Sequence, residues 1–186
     1  MRLLNRTPLP DSALYDLLVK AGRSVSASTT GVVVQVNPSY RAFNRASGMA
    51  YRCDSVGWGR SKRWLSTSGG AFRISLPLLY LKHSDRNTDL VSVAESFLQV
   101  ARHEWGHIRD YQNKLESSRR GPGGRRPPHD SRPEEIRAEN YIYDSDKKLP
   151  TYYFDDVVLE LAVSWKHSSS QGEGGLPDEH ATDERT

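Results

Sequence analysis

The sequence predicts an α+β fold in which a small mixed or antiparallel β-sheet packs on a long amphipathic helix. β-branched residues dominate 31–36, and apolar residues alternate with polar ones over 71–76, as expected of two strands. Apolar residues then recur at helical spacing over about 88–114 and predict the long helix.

The chain of 186 residues suits one domain, which we expect to span residues 1–167. Within it, residues 117–130 are rich in glycine, proline and arginine and predict a flexible basic loop. Residues 168–186 are polar and acidic and predict a disordered tail. The mean hydropathy of -0.69 agrees that part of the chain lies outside the core.

The amino-acid composition limits the partners, the cysteine chemistry and the cellular compartment that we expect for the protein. A net charge of +3 neither requires nor excludes a nucleic-acid partner. Cys53 is the single cysteine, which excludes an intramolecular disulfide and a thiolate zinc cluster and favours a reducing compartment, the cytoplasm. No stretch approaches the ~18 apolar residues that a membrane span requires, so we expect no membrane partner.

The elements before the long helix are predicted with unequal precision. A first helix begins near Pro10 and ends at Gly22. Within the ambiguous stretch 40–70, residues 49–53 and 63–66 could each form a strand.

The strand at 71–76 is followed by Pro77, which limits it to an edge of the sheet or places the proline at its end. We expect the strand to lie at the edge of the sheet over the cleft, where an extended peptide could pair with it by strand addition. The other interpretation is an ordinary edge strand. The long helix that follows is predicted to be capped by Asn87 or Thr88.

Two further helices are predicted after the basic loop. Ser131 and Glu134 form a capping-box pattern that would begin a helix ending at about Asp144. A last amphipathic helix begins at Asp155 or Asp156.

The segment His103-Glu104-Trp105-Gly106-His107 lies in the second half of the long predicted helix. Because residues four apart share a helix face, His103 and His107 present two imidazoles to a common point. Glu104 lies near enough to reach a metal-bound water without binding the metal itself. A catalytic zinc ion then requires one more protein ligand and one open position. The competing interpretation is an ordinary pair of histidines beside an unrelated glutamate.

A His-Glu-x-x-His helix followed by a second, glutamate-bearing helix resembles the gluzincin metallopeptidases. Among these it is similar to the minigluzincins, which include the SprT-like and ImmA/IrrE-like proteins. The resemblance covers about residues 71–144. It implies a zincin-like fold, a Zn²⁺ cofactor, a peptide or protein substrate and hydrolysis of peptide bonds.

The resemblance also implies a third ligand. In that group it lies in a Glu-x-x-Ala-(Asp/Asn/Glu) pattern, which residues 135–139 match. The implied metal ligands are therefore His103, His107 and Glu135. Glu139 is the alternative third ligand; otherwise it would orient a ligating histidine from one turn further along the helix.

Other sets of metal ligands fit the sequence less well than His103, His107 and Glu135. The metzincin class requires a glycine and a third histidine at the positions that Asp110 and Asn113 occupy here, so it is excluded. Asp110 would also face away from the metal. Asp130, Asp144 and His129 remain outside possibilities for the third ligand.

The implied mechanism uses zinc to lower the pKa of its bound water and to polarise the substrate carbonyl. Glu104 would accept the proton of the water and deliver it to the leaving amine. The oxyanion requires a donor besides zinc. Members of the resembled group tend to supply a tyrosine or histidine from outside the motif, and Tyr141 and Tyr143 are the candidates here.

Five arginines in 119–132 could contact nucleic acid or an acidic partner, although a solvated loop would have the same composition. An alternative to the peptidase hypothesis is a non-catalytic or regulatory zinc-binding protein associated with DNA or a protein partner. Glu104 argues against it, because a structural zinc site gains little from that carboxylate. A zinc hydrolase acting on a non-peptide amide is a third hypothesis.

Overall fold

The structure is a computed structural model that describes residues 1–37, 49–52, 72–78, 89–115 and 128–171. In this part of the chain, strands and helices form an α+β fold, as the sequence predicts. The strands are β1 (Arg2–Asn5), β2 (Val32–Asn37), β3 (Met49–Arg52) and β4 (Phe72–Pro77). The α-helices are α1 (Asp11–Ser24), α2 (Leu90–Gln112), α3 (Pro133–Asp146) and α4 (Asp155–Gln171), with short 3-10 helices at His129–Ser131 and Thr151–Phe154.

The sheet has the strand order β1-β2-β4-β3. β1, β2 and β4 are parallel, and only β3 runs antiparallel, beside β4. The sequence predicted a mixed or an antiparallel sheet. The sheet is mixed, and most of its strand pairs are parallel. The crossover through α1 explains the parallel pairing of β1 with β2, because a helix between two strands returns the chain to the same end of the sheet.

The predicted strand at 71–76 forms, but its predicted position at the sheet edge is wrong. β4 lies between β2 and β3, and among the described strands the two outer ones are β1 and β3. Pro77 is the last residue of β4, which is the other position in a strand that tolerates proline. Beyond β4, the described strand is therefore β3 (Met49–Arg52).

The core lies between one face of the sheet and the helices α1, α2 and α4. Alternate residues of β2 and β4 enter it, because successive side chains of a strand point to opposite faces. α2 supplies its largest side chain, Trp105, which is fully buried against Gly22 of α1. The remaining buried core residues of the sheet and of α1 and α2 include Val32, Val34, Val36, Ile74, Leu76, Leu14, Leu17, Leu18, Ala94, Leu98, Ala101 and Ile108.

α2 is the central helix, since it packs against α1, α3, α4, β3 and β4. Its N-cap is Asp89, one residue after Thr88 and two after Asn87: the carboxylate of Asp89 accepts a hydrogen bond from the backbone N–H of Val91, 3.0 Å away. The predicted caps Asn87 and Thr88 lie outside the described residues. The cap fixes the start of the helix that carries both motif histidines.

The predicted capping box before α3 is wrong. The N-cap residue is Arg132, which makes no side-chain cap hydrogen bond, and α3 begins at Pro133. The Ser131 hydroxyl instead donates to the carbonyl of Pro128, 2.9 Å away, because Ser131 belongs to the preceding 3-10 helix. That turn places His129 shortly before the first residue of α3.

Some predicted segments lie outside the described residues: the strand at 63–66, residues 117–127 of the basic loop and residues 172–186 of the tail. Residues 168–171, which the sequence assigned to the tail, belong to α4. Contact of the 119–132 arginines with nucleic acid stays a prediction. Among the helices of the described residues, none combines the length and the apolar character needed to cross a membrane.

Candidate metal centre

The two motif histidines lie on the face of α2 that meets α3. Their imidazole rings are arranged edge to face, with centroids 4.8 Å apart, and their Nε2 atoms are 3.1 Å apart. This follows from the four-residue spacing of His103 and His107, which places the second ring one turn above the first.

Glu135 of α3 completes the group. Its Oε2 atom lies 3.1 Å from Nε2 of His103 and 3.1 Å from Nε2 of His107. The two helices approach closely enough for this because Gly106 faces Ala138: a Cβ atom built on Gly106 would lie 2.9 Å from the Ala138 Cα. The structure thus brings together the three residues predicted as metal ligands.

The three ligand atoms fit a zinc ion. Zinc binds nitrogen and oxygen at about 2.0–2.2 Å, so two ligands of a tetrahedral site lie about 3.3 Å apart. The three separations of 3.1 Å between His103, His107 and Glu135 agree with that value. Two imidazole nitrogens and a carboxylate oxygen are all lone-pair donors, and a cation between them satisfies all three at once.

Glu139 has a different position from Glu135. Its Oε1 atom lies 2.7 Å from Nδ1 of His103, on the side of the ring opposite Nε2. The carboxylate accepts the Nδ1 proton and so leaves the lone pair of Nε2 directed at the shared point. The geometry therefore favours Glu135 as the third ligand and Glu139 as the residue that orients His103.

Glu104 is buried beside this group. Loss of solvent and, to a smaller extent, the nearby Glu135 carboxylate together raise the pKa of its carboxyl from 4.5 to about 8. A divalent cation at the three ligand atoms would reverse this effect, because positive charge favours the ionised carboxylate. The ion would therefore convert Glu104 from an acid into a base near neutral pH.

Burial and the neighbouring His103 lower the pKa of His107 below its usual value. The imidazole of His107 is therefore neutral at neutral pH. A neutral imidazole keeps the nitrogen lone pair that a metal ligand requires.

Two polar contacts join α2 to α3 on either side of the histidines. Before them, the buried Arg102 guanidinium pairs with Asp146, at 2.6 Å. After them, the buried Asp110 carboxylate accepts hydrogen bonds from Arg137 and from the Tyr141 hydroxyl, each at 2.7 Å. These contacts fix the register of α3 against α2 and hence the position of Glu135.

The other candidates from the sequence are two tyrosines and two aspartates, and they lie away from the three ligand atoms. The Tyr141 hydroxyl is hydrogen-bonded to Asp110, and the Tyr143 ring lies 4.0 Å from the Lys147 ammonium. Neither arrangement directs a donor at the three ligand atoms. Asp130 and Asp144 are exposed.

Two further residues lie near the site: Tyr111, to which the sequence analysis assigned no role, and His129, which it left as an outside possibility for the third ligand. The hydroxyl of Tyr111, one turn after His107, lies 3.4 Å from the carbonyl oxygen of Ala50 in β3. Burial, followed by the negative charges of Glu104, Glu134, Glu135 and Asp110, raises the pKa of Tyr111 to about 12. His129 contacts Glu135. The spacing of Tyr111 from His107 is a signal that could have identified the first, whereas no sequence pattern places the second beside Glu135.

The substitution Gly106→Ala is expected to destabilise the protein by about 1–3 kcal/mol, because the new methyl group would overlap the Ala138 backbone. In an open helix position the same substitution would stabilise by about 1 kcal/mol. Urea unfolding measures the difference, with Ser96→Ala on the exposed side of α2 as the control. A Gly106→Ala variant more stable than wild type would show that α2 and α3 are not closely packed.

The metal-free protein is expected to lose about 1 kcal/mol of stability between about pH 7 and pH 8.5. With a pKa of about 8 when folded and 4.5 as its reference, Glu104 keeps a proton in the folded state that the unfolded chain has lost. Stability falls with rising pH wherever the folded state binds more protons. His107 adds nothing in this range, because its lowered pKa leaves it neutral in both states.

Urea unfolding in the presence of a chelator, at several pH values in this range, measures the slope. The slope should disappear in Glu104→Gln. An unchanged slope in that variant would assign it to another group.

The chain matches no protein-family model. No curated protein is significantly similar to it. No solved structure matches its fold at a significant level.

Proposed function

We propose that this protein is a zinc-dependent metallopeptidase with a zincin-like fold of the minigluzincin kind. His103, His107 and Glu135 would hold the ion, and Glu104 would act as general base. The observation that carries the proposal is the convergence of three ligand atoms at mutual distances of 3.1 Å beside a buried glutamate.

The number of ligands supports a catalytic role for the site over a structural one. In the described part of the chain, the group that could hold a metal consists of His103, His107 and Glu135. Structural zinc sites are closed by four protein ligands, whereas catalytic sites have three and an open position for water. Glu104 would also have no function in a purely structural site.

The chemistry that bound zinc supplies is a water of lowered pKa and a polarised substrate carbonyl. Glu104 would act as the general base and would hold the proton that passes from the attacking water to the leaving nitrogen. Its buried position excludes competing water. Glu139 holds His103 in the orientation that its ligand role requires.

The substrate that fits this arrangement is an extended peptide. β3 is an outer strand among the described ones, and it contacts α2, the helix of the metal ligands. A peptide added to the side of β3 that no described strand occupies would form main-chain hydrogen bonds without a requirement for particular side chains. The Tyr111–Ala50 contact joins this strand to the carboxylate side of the site.

The proposal is tested by incubating the zinc-loaded protein with an unfolded protein substrate and detecting new amino termini by mass spectrometry. Cleavage should require zinc and stop when a chelator removes it. Zinc binding without any new amino termini across several unfolded substrates would favour the non-catalytic zinc-binding alternative.

A further inference from the structure

The first half of α2 and the beginning of α4 border a groove with a volume of about 860 Å³. This volume falls within the roughly 300–1,000 Å³ that is typical of ligand-binding sites in proteins. The floor of the groove is apolar, since the buried Leu98 and Val158 line it together with Phe154. None of the three candidate metal ligands is among the described residues that line it, so the groove is a separate feature of the molecule.

Two serines and an arginine along the groove have hydrogen-bond partners within the protein. On α2, the Ser92 hydroxyl donates to the Asp89 carboxylate, 2.7 Å away, and the Ser96 hydroxyl donates to the Ser92 carbonyl, 2.9 Å away. The buried Arg102 guanidinium donates to the Asp146 carboxylate, 2.6 Å away. A partner could therefore cover these groups without leaving their donors unsatisfied, which would otherwise cost binding energy.

The rim of the groove is acidic. Glu95 and Asp155 are exposed there, and the Asp146 side chain is 53% exposed. Arg102 is the basic residue among the described residues that line the groove, and its charge is offset by Asp146. The groove therefore has an excess of negative charge, although the whole chain has a net charge of +3. A partner with lysine or arginine side chains at its edges would complement this charge.

α4 adds exposed apolar side chains beside the groove. Leu159 lines the groove and is 52% exposed, and Val163, one turn further along α4, is 53% exposed. Residues four apart share a face of a helix, so these two side chains form a short apolar stripe that continues from the groove. A partner helix with apolar residues at the same spacing would contact both the stripe and the groove, which is a common mode of peptide recognition.

We propose that the groove between α2 and α4 is a docking site for an amphipathic helix of a partner protein. The apolar face of that helix fills the groove and contacts Leu159, and its lysine or arginine side chains meet Glu95 and Asp155. This inference does not depend on the metal centre, so the proposed function and the docking site can fail separately.

The test uses a synthetic, fluorescently labelled helix with leucine on one face and lysine on its flanks, and a second helix in which glutamate replaces lysine. Fluorescence anisotropy with the full chain measures the affinity for each, and the lysine helix should bind more tightly. Leu159→Ala should weaken its binding at least about fivefold, as expected when a side chain that anchors an interface is truncated. Glu95→Lys should weaken it about fivefold, because a repulsion replaces an attraction.

The matched controls are Ile136→Ala, at an exposed apolar residue of α3, and Glu160→Lys, at an exposed acidic residue of α4 outside the groove. Glu160→Lys changes the net charge by the same amount as Glu95→Lys does, and both controls should bind as wild type does. If Leu159→Ala alters the melting temperature, the comparison of Glu95→Lys with Glu160→Lys decides.

Three results would overturn the inference. The first is equal binding of the two helices, or no binding of either, by wild type. The second is unchanged affinity in Glu95→Lys and in a folded Leu159→Ala variant. The third is an equal loss in Glu95→Lys and Glu160→Lys, which would show attraction by net charge alone.

Discussion

The Glu104→Gln variant is expected to lose peptide hydrolysis while it retains bound zinc. The amide preserves the shape of the side chain but cannot accept the proton of the attacking water. Loss of a general base typically lowers kcat by 10²- to 10⁴-fold, so we expect about 10³-fold. The measurement is the rate of new amino termini at saturating zinc, together with the zinc content of the same sample.

Glu95→Gln is the matched control, because Glu95 is an exposed glutamate on the same helix. It should retain both activity and zinc. A Glu104→Gln variant that cleaves within threefold of wild type would remove Glu104 from the mechanism. A variant that loses zinc as well would assign Glu104 to metal binding.

Removal of the third ligand is expected to weaken zinc binding more than removal of its neighbour does. Glu135→Ala deletes an oxygen that lies 3.1 Å from both histidine nitrogens, whereas Glu139→Ala deletes a contact to the far nitrogen of His103. Loss of an outer partner costs about 10- to 100-fold in affinity, and we expect Glu139→Ala within that range and Glu135→Ala beyond it. Competition with a chelator of known affinity measures both.

Asn140→Ala provides the control for this pair, since Asn140 is an exposed residue of the same helix. Its zinc affinity should equal that of wild type. If Glu139→Ala lost more affinity than Glu135→Ala, the two glutamates would have exchanged roles, and the packing of α3 on α2 would differ from the one described.

The central helix of the fold was predictable because its pattern is long. Apolar residues recur at helical spacing through most of Leu90–Gln112, and a signal of that length does not depend on its neighbours. β1 was not predicted, because Leu3 and Leu4 are adjacent apolar residues that show neither alternation nor helical period. Its pairing with β2, rather than its own sequence, makes it a strand.

The positions of strands in the sheet could not be predicted in the same way. Pro77 was correctly taken as a limit on β4, but an edge strand and an interior strand that ends in proline have the same sequence signal. The difference depends on Met49–Arg52, which pairs with β4 from outside. Strand order is a property of pairing, and short strands carry little information about their partners.

The residues of the candidate site likewise differ in how far the sequence alone could identify them. His103, Glu104 and His107 could be identified because local helix geometry alone brings them together. The distinction between Glu135 and Glu139 required the register of α3 against α2, which the Gly106–Ala138 contact sets. His129 follows a glycine- and proline-rich stretch in the sequence, and its contact with Glu135 depends on the turn at His129–Ser131.

The most direct test of the central claim is the metal content of the purified protein by elemental analysis, before and after incubation with zinc and removal of the excess. The arrangement of His103, His107 and Glu135 predicts one zinc ion per chain, and predicts its loss from Glu135→Ala. A wild-type protein that holds no zinc even after incubation would contradict the metal centre and, with it, the proposed peptidase.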